Sequence, residues 1–133
     1  MSLKIYSDGG SRGNPGKSAF AVVVTRNGEI LEEYTEFLGV HTNNYAEYRG
    51  LICAITKALA LKDDDVEFVM DSELVIKQMR GEYKVKSPDM KELNDDAKTL
   101  SSLIPNVRFT HVRRENPMIS RADFLLNQTM DRN

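Results

Sequence analysis

Ile5-Tyr6-Ser7-Asp8-Gly9-Gly10-Ser11-Arg12-Gly13-Asn14-Pro15-Gly16 is the stretch on which the reading of this chain turns. The apolar run over residues 3–7 reads as a short strand that ends at an aspartate. Four glycines and a proline follow within residues 9–16, a composition that predicts a loop. Ligands of open α/β sheets gather outside the carboxyl ends of the strands. Asp8 is therefore a candidate site residue as well as an ordinary turn former.

Outward from this stretch the elements follow in order. Residues 18–25 are rich in Val and Phe and read as a strand, and Asn27-Gly28 is a strong hairpin signal. Residues 29–38 return as its partner, with the acids expected on a solvated side. Thr42-Asn43-Asn44 are good N-cap residues for a helix running to about Leu61, which Asp63-Asp64-Asp65 breaks. Residues 66–70 form an apolar run ending at Asp71, the pattern of a buried strand. Ser72 can cap a short helix that stops at Gly81. Ser87-Pro88-Asp89 opens another, lasting to about Leu103. Residues 107–112 are a last strand, and a loop from Arg113 leads to a helix starting near Ser120. This order predicts an α/β fold with a mixed sheet covered by helices.

Composition narrows the class. The 133 residues argue for one domain, 1–133, and 41% hydrophobic residues supply a core. Eighteen bases against 20 acids exclude a histone-like electrostatic binder of nucleic acid. No apolar run approaches a membrane span, and residues 1–10 lack a signal-peptide core. A single cysteine, Cys53, excludes an intrachain disulfide and a cysteine-rich zinc site. A soluble, cytoplasmic protein is the expectation.

Four carboxylates stand out. Asp8 and Asp71 end apolar strands. Glu47 falls on the helix side that carries Leu51, Ala54, Ile55 and Ala58, where a carboxylate is costly unless paired or bound to metal. Asp123 shares a stripe with Leu126 and Met130. Each also has a plain explanation: turn formation for the first two, a capping box with Asn44 for Glu47 and one with Ser120 for Asp123. Together they match the oxygen-rich donor set that Mg²⁺ prefers. His41 and His111 are the only histidines, and His111, inside an apolar strand, reads as structural.

These residues resemble type 1 ribonuclease H. The stretch from Ile5 to Gly16 is similar to that family's first strand and glycine-rich loop. Thr42-Asn43-Asn44-Tyr45-Ala46-Glu47 resembles its Thr-Asn-Asn-x-x-Glu signature, Met70-Asp71-Ser72 its Asp-Ser strand end, and Ala122-Asp123 its last acidic helix. The resemblance implies a ribonuclease H-like fold, a five-stranded mixed sheet of an antiparallel hairpin plus parallel strands, flanked by helices. It implies Asp8, Glu47, Asp71 and Asp123 as catalytic ligands of two Mg²⁺ ions, with Mn²⁺ as a substitute. The implied reaction is endonucleolytic cleavage of the RNA strand of an RNA–DNA hybrid, leaving 5′-phosphate and 3′-hydroxyl ends. Gly9, Gly10, Asn14, Asn43 and Asn44 stand at substrate-contact positions, and Thr42 at a contact to DNA phosphate. A monomer with no obligate protein partner and no membrane is implied.

Three departures accompany the resemblance. Many relatives carry a histidine in the loop before the last acid. Residues 113–120 contain none, which places the chain nearer a compact, histidine-free branch, with Arg114 or Glu115 as the stand-in. Asn116 lies seven residues before Asp123, where relatives of that branch usually have four. Glu73 stands where many relatives have an amide. Lys77, Arg80, Lys84, Lys86 and Lys91 make one basic segment, and Arg108, Arg113, Arg114 and Arg121 a second. A hybrid-binding module without catalysis, or a superfamily nuclease acting on double-stranded RNA or DNA, are the alternatives to a ribonuclease H.

Overall fold

The structure, a computed structural model, describes residues 2–133. Its elements run β1 (Leu3–Gly13), β2 (Gly16–Arg26), β3 (Glu29–His41), α1 (Asn43–Leu61), β4 (Asp65–Met70), α2 (Glu73–Met79), α3 (Pro88–Ser101), β5 (Asn106–His111) and α4 (Pro117–Asp131). The sheet order is β3-β2-β1-β4-β5. β1–β2 and β2–β3 are antiparallel, while β1–β4 and β4–β5 are parallel. The expected α/β architecture with a five-stranded mixed sheet is what forms.

Alternation along the strands builds two apolar layers, because successive side chains leave a strand on opposite faces. Leu3, Ile5, Phe20, Val22, Val24, Val66, Phe68 and Met70 pack against α1 together with α2 and α3 residues. Tyr6, Ala19, Ala21, Val23 and Val69 pack on the other face against Ile119, Ala122, Leu126 and Met130 of α4. At about 25 cal/mol per Å² of apolar surface, burial of these side chains is the main force holding helices to sheet.

Several local expectations change. Residues 9–16 are not a loop: β1 continues to Gly13, paired with β2 through Gly13↔Gly16, and only Asn14 and Pro15 form the turn. Glycine weakens a strand locally, but a continuous ladder to β2 satisfies the backbone and overrides that propensity. Asn27 (φ 53) and Gly28 (φ 80) form the expected hairpin turn, whose left-handed backbone Asn and Gly tolerate. The β3 acids do not share one solvated side. Glu32 meets Lys57 and Glu36 meets Arg49, both on α1, while Glu33 meets Arg121 on α4. β3 is an edge strand, and these pairs fasten it to the helices on both faces.

The last helix starts at Pro117 rather than near Ser120. Asn116 is its N-cap and accepts from the N–H groups of Met118 and Ile119. Proline at the first helical position has no N–H to leave unpaired. Ser120 is inside the helix, where its hydroxyl donates to the Arg114 carbonyl, so it forms no capping box with Asp123. His111 is exposed at the end of β5, not inside an apolar layer.

Candidate active site

β1 and β4 run parallel, with Tyr6 opposite Val69. Asp8 and Asp71 each lie two residues beyond that couple, so strand geometry places them side by side on one face. There the strands part: β1 stays with β2, and β4 turns at Asp71 and Ser72 into α2. The gap left between them is the floor of a cleft of about 460 Å³.

Glu47 enters this gap from α1. The N-cap of α1 is Thr42, whose hydroxyl accepts from the Tyr45 N–H, so Glu47 forms no capping box with Asn44. Its carboxylate instead accepts the Gly9 N–H at 2.5 Å. Helix and strand meet so closely that a β-carbon on Gly9 would stand 2.4 Å from the Ala46 carbonyl carbon. Glycine at position 9 is thus required by α1 packing. Its N–H is used by Glu47.

Asp8, Glu47 and Asp71 each offer a carboxylate oxygen within 4.8 Å of the others. Burial pushes the Asp8 carboxyl up from 3.8 to about 9, aided by the charges of Glu47, Asp71 and Asp123. Burial also pushes Glu47 up, to about 8, with the Asp71 charge acting in the same direction. The Gly9 N–H, the Ser72 side chain and Arg114 act against that rise. Three carboxylates so placed cannot all be charged without a compensating cation. A hard divalent ion that takes oxygen ligands fits the donor set.

Asp123 lines the same cleft but stands outside the close trio, and its side chain is exposed. Asn127, one helical turn on, donates from Nδ2 to the Asp123 carbonyl at 2.9 Å and to its carboxylate at 3.3 Å. Arg114 also lines the cleft, with Nε 4.0 Å from Asp71. Glu115 is exposed and does not line it. Gly10, Asn43 and Asn44 do line it, and Asn44 also borders a second cavity of about 600 Å³ that includes Tyr83, Lys84 and Lys86.

Some of the other candidate contacts have internal duties. Asn43 accepts from the Ser11 N–H at 2.7 Å, and Asn14 accepts from the Asn43 N–H at 3.1 Å. These bonds tie the start of α1 to the β1–β2 turn. Glu73 sits in the first turn of α2, where a negative charge suits the helix dipole, 3.7 Å from Lys77. Arg108 and Arg121 of the second basic segment are held by Asp65 and Glu33. Among the described residues, no ion pair holds Lys84, Lys86 or Arg113. Ser72, Arg12 and Asn127 escape a reading by sequence. Ser72 is visible there only as a cap, and the 115-residue separation of Arg12 from Asn127 carries no local signal.

Comparison with known proteins agrees with this geometry. A family model described as reverse transcriptase-like matches residues 6–125. The chain is 40% identical over 133 residues to the bifunctional protein Rv2228c of Mycobacterium tuberculosis, covering 98% of this chain and 36% of that protein. It therefore spans about a third of the length of the mycobacterial relatives it matches. The structure of RNase H1 from the halophilic archaeon Halobacterium salinarum superimposes with a TM-score of 0.93, at 36% identity over the whole of both chains. LC11-RNase H1, solved in complex with an RNA/DNA hybrid, superimposes with a TM-score of 0.91, at 40% identity over 98% of this chain and 97% of that one. With the fold, the buried trio and near-complete coverage in agreement, the chain belongs to the type 1 ribonuclease H family.

Proposed function

We propose that this chain is a Mg²⁺-dependent endoribonuclease that cleaves the RNA strand of RNA–DNA hybrids, leaving 5′-phosphate and 3′-hydroxyl ends. The observation that carries this reading is the buried Asp8–Glu47–Asp71 trio at the point where β1 and β4 part. Its similarity to a ribonuclease H1 solved with an RNA/DNA hybrid supports the choice of substrate. Asp8, Glu47 and Asp71, with Asp123 at the rim, would hold two Mg²⁺ ions, for which Mn²⁺ can substitute. Such ions, when bound, lower the pKa of an attacking water and stabilise the leaving oxygen.

The chain's own residues supply the rest. The Gly9 N–H orients Glu47 by a hydrogen bond, so its carboxylate is placed before any substrate arrives. Arg114 belongs to the loop in which many relatives carry a histidine, and of the two candidate stand-ins it, not Glu115, lines the cleft. A guanidinium stays protonated at any working pH, so Arg114 can hold a phosphate oxygen but cannot shuttle a proton. Gly10, Asn43 and Asn44 present small polar surface to a strand in the cleft, where 2′-hydroxyl groups distinguish RNA from DNA. Lys84 and Lys86 flank the neighbouring cavity and suit the phosphates of the partner strand.

The test is incubation of the protein with an end-labelled hybrid and Mg²⁺ or Mn²⁺, beside double-stranded RNA, duplex DNA and an Asp71→Asn variant. Hybrid-specific cutting that Asp71→Asn abolishes is the expected result. Binding without turnover at every metal concentration would instead identify a non-catalytic module. Equal cutting of the duplexes would remove hybrid specificity.

A further inference from the structure

We propose that Asn127, oriented by Arg12, is the positioning residue that holds Asp123 toward the buried trio. An exposed aspartate on a helix has several open rotamers, so something must select one if Asp123 is to serve the cleft. Asn127 lies four residues on, the spacing at which an amide and a carboxylate on one helix face each other. Its Nδ2 donates to both the carbonyl and the carboxylate of Asp123. The direction of that amide is settled from the other side. Arg12 Nη2 donates to Asn127 Oδ1 at 3.2 Å and to the Asn127 carbonyl at 3.2 Å. Arginine has only donors, so the amide oxygen must face Arg12 and the nitrogen must face Asp123.

Arg12 is itself anchored. Its Nη1 lies 2.7 Å from Asp131 at the end of α4, and Lys17 on β2 donates to the Met130 carbonyl at 3.2 Å. Arg12 also belongs to β1, four residues beyond Asp8. One strand thus carries Asp8 directly and sets Asp123 through two side chains. The spacing between the trio and the rim acid becomes a property of β1 rather than of a free rotamer. For its catalytic consequence this inference rests on the hybrid-cleavage reading. For its geometry it does not.

The rival role is a tether that merely fastens α4 to the β1–β2 hairpin. Metal binding separates the two. Calorimetric titration with Mg²⁺ alone is compared for wild type, Asn127→Ala, Asn127→Gln and Arg12→Ala, alongside hybrid cleavage. Loss of a group that orients a ligand should weaken Mg²⁺ binding about tenfold in Asn127→Ala. Alanine suits the helix and Asn127 is only half-buried at the surface, so melting should stay within about 2 °C of wild type. Asn127→Gln keeps a donor within reach of Asp123 and should recover most of the affinity. Arg12→Ala should fall between, and the double variant should be no worse than Asn127→Ala. The Mg²⁺ concentration for half-maximal cleavage should rise by the same factor, with the KM for hybrid unchanged.

Wild-type Mg²⁺ binding by Asn127→Ala, a change confined to melting temperature, or no Mg²⁺ binding by wild type would each overturn the proposal. If wild type cuts no hybrid while Asn127→Ala still weakens Mg²⁺ binding, the positioning role stands and the hybrid reading falls.

Discussion

The cleft holds two kinds of carboxylate. Asp8, Glu47 and Asp71 stand on three elements that the core presses together, and packing sets their separation. Asp123 projects from an exposed face of α4 and is oriented by surface hydrogen bonds. The first arrangement stores electrostatic repulsion in the fold, and the second costs the fold almost nothing. Removing a charge from the trio should therefore harm activity while relieving the fold, whereas changes at the rim should touch activity and leave stability alone.

The sharpest way to break that contrast is Asp71→Asn. Cleavage of a labelled hybrid should fall at least about a thousandfold, some 4 kcal/mol of transition-state stabilisation. Asp123→Asn should lose less, about ten- to a hundredfold, with a higher Mg²⁺ requirement and an unchanged melting curve. Equal losses at the two positions would erase the distinction between trio and rim. Gly9→Ala tests the packing that places Glu47. Its β-carbon meets the α1 backbone, which cannot swing aside as a side chain can, so chemical denaturation should show a loss of about 2 kcal/mol. Activity should fall with it.

The last test is the dependence of the fold on pH without metal. Asp8 and Glu47 have folded pKa values of about 9 and about 8, above their ordinary 3.8 and 4.5. The folded chain then holds protons that the unfolded chain has released, so stability declines as pH rises from about 4 toward 9. Melting in chelator should drop steeply between pH 5 and pH 8, by roughly ten degrees or more. Asp8→Asn should flatten that slope, and saturating Mg²⁺ should abolish it by binding only the folded state. A metal-free melting temperature that rises with pH would refute the upward shifts that burial, aided by the neighbouring charges, gives Asp8 and Glu47.

Much of this was legible in the residues. The strand and helix order, the hairpin at Asn27-Gly28 and the inward face of Glu47 follow from local patterning, because these signals need only near neighbours. The start of α4 was not legible: Ser120 with Asp123 three residues on imitates a capping box, whereas the helix is capped by Asn116. The glycines after Asp8 misled for a different reason. Their turn propensity is real, yet a ladder to a strand beyond the turn outweighs it.

By itself the sequence determined which acids could serve a metal site, since charge, apolar context and motif order are carried by the chain. Tertiary structure alone decided their ranks. The register of β1 on β4 sets Asp8 beside Asp71, and the close approach of Gly9 to α1 turns Glu47 toward them. The Arg12–Asn127 contact gives Asp123 its place at the rim. Each of these joins residues far apart in the chain, and only burial and hydrogen bonding in the folded state bring such residues together.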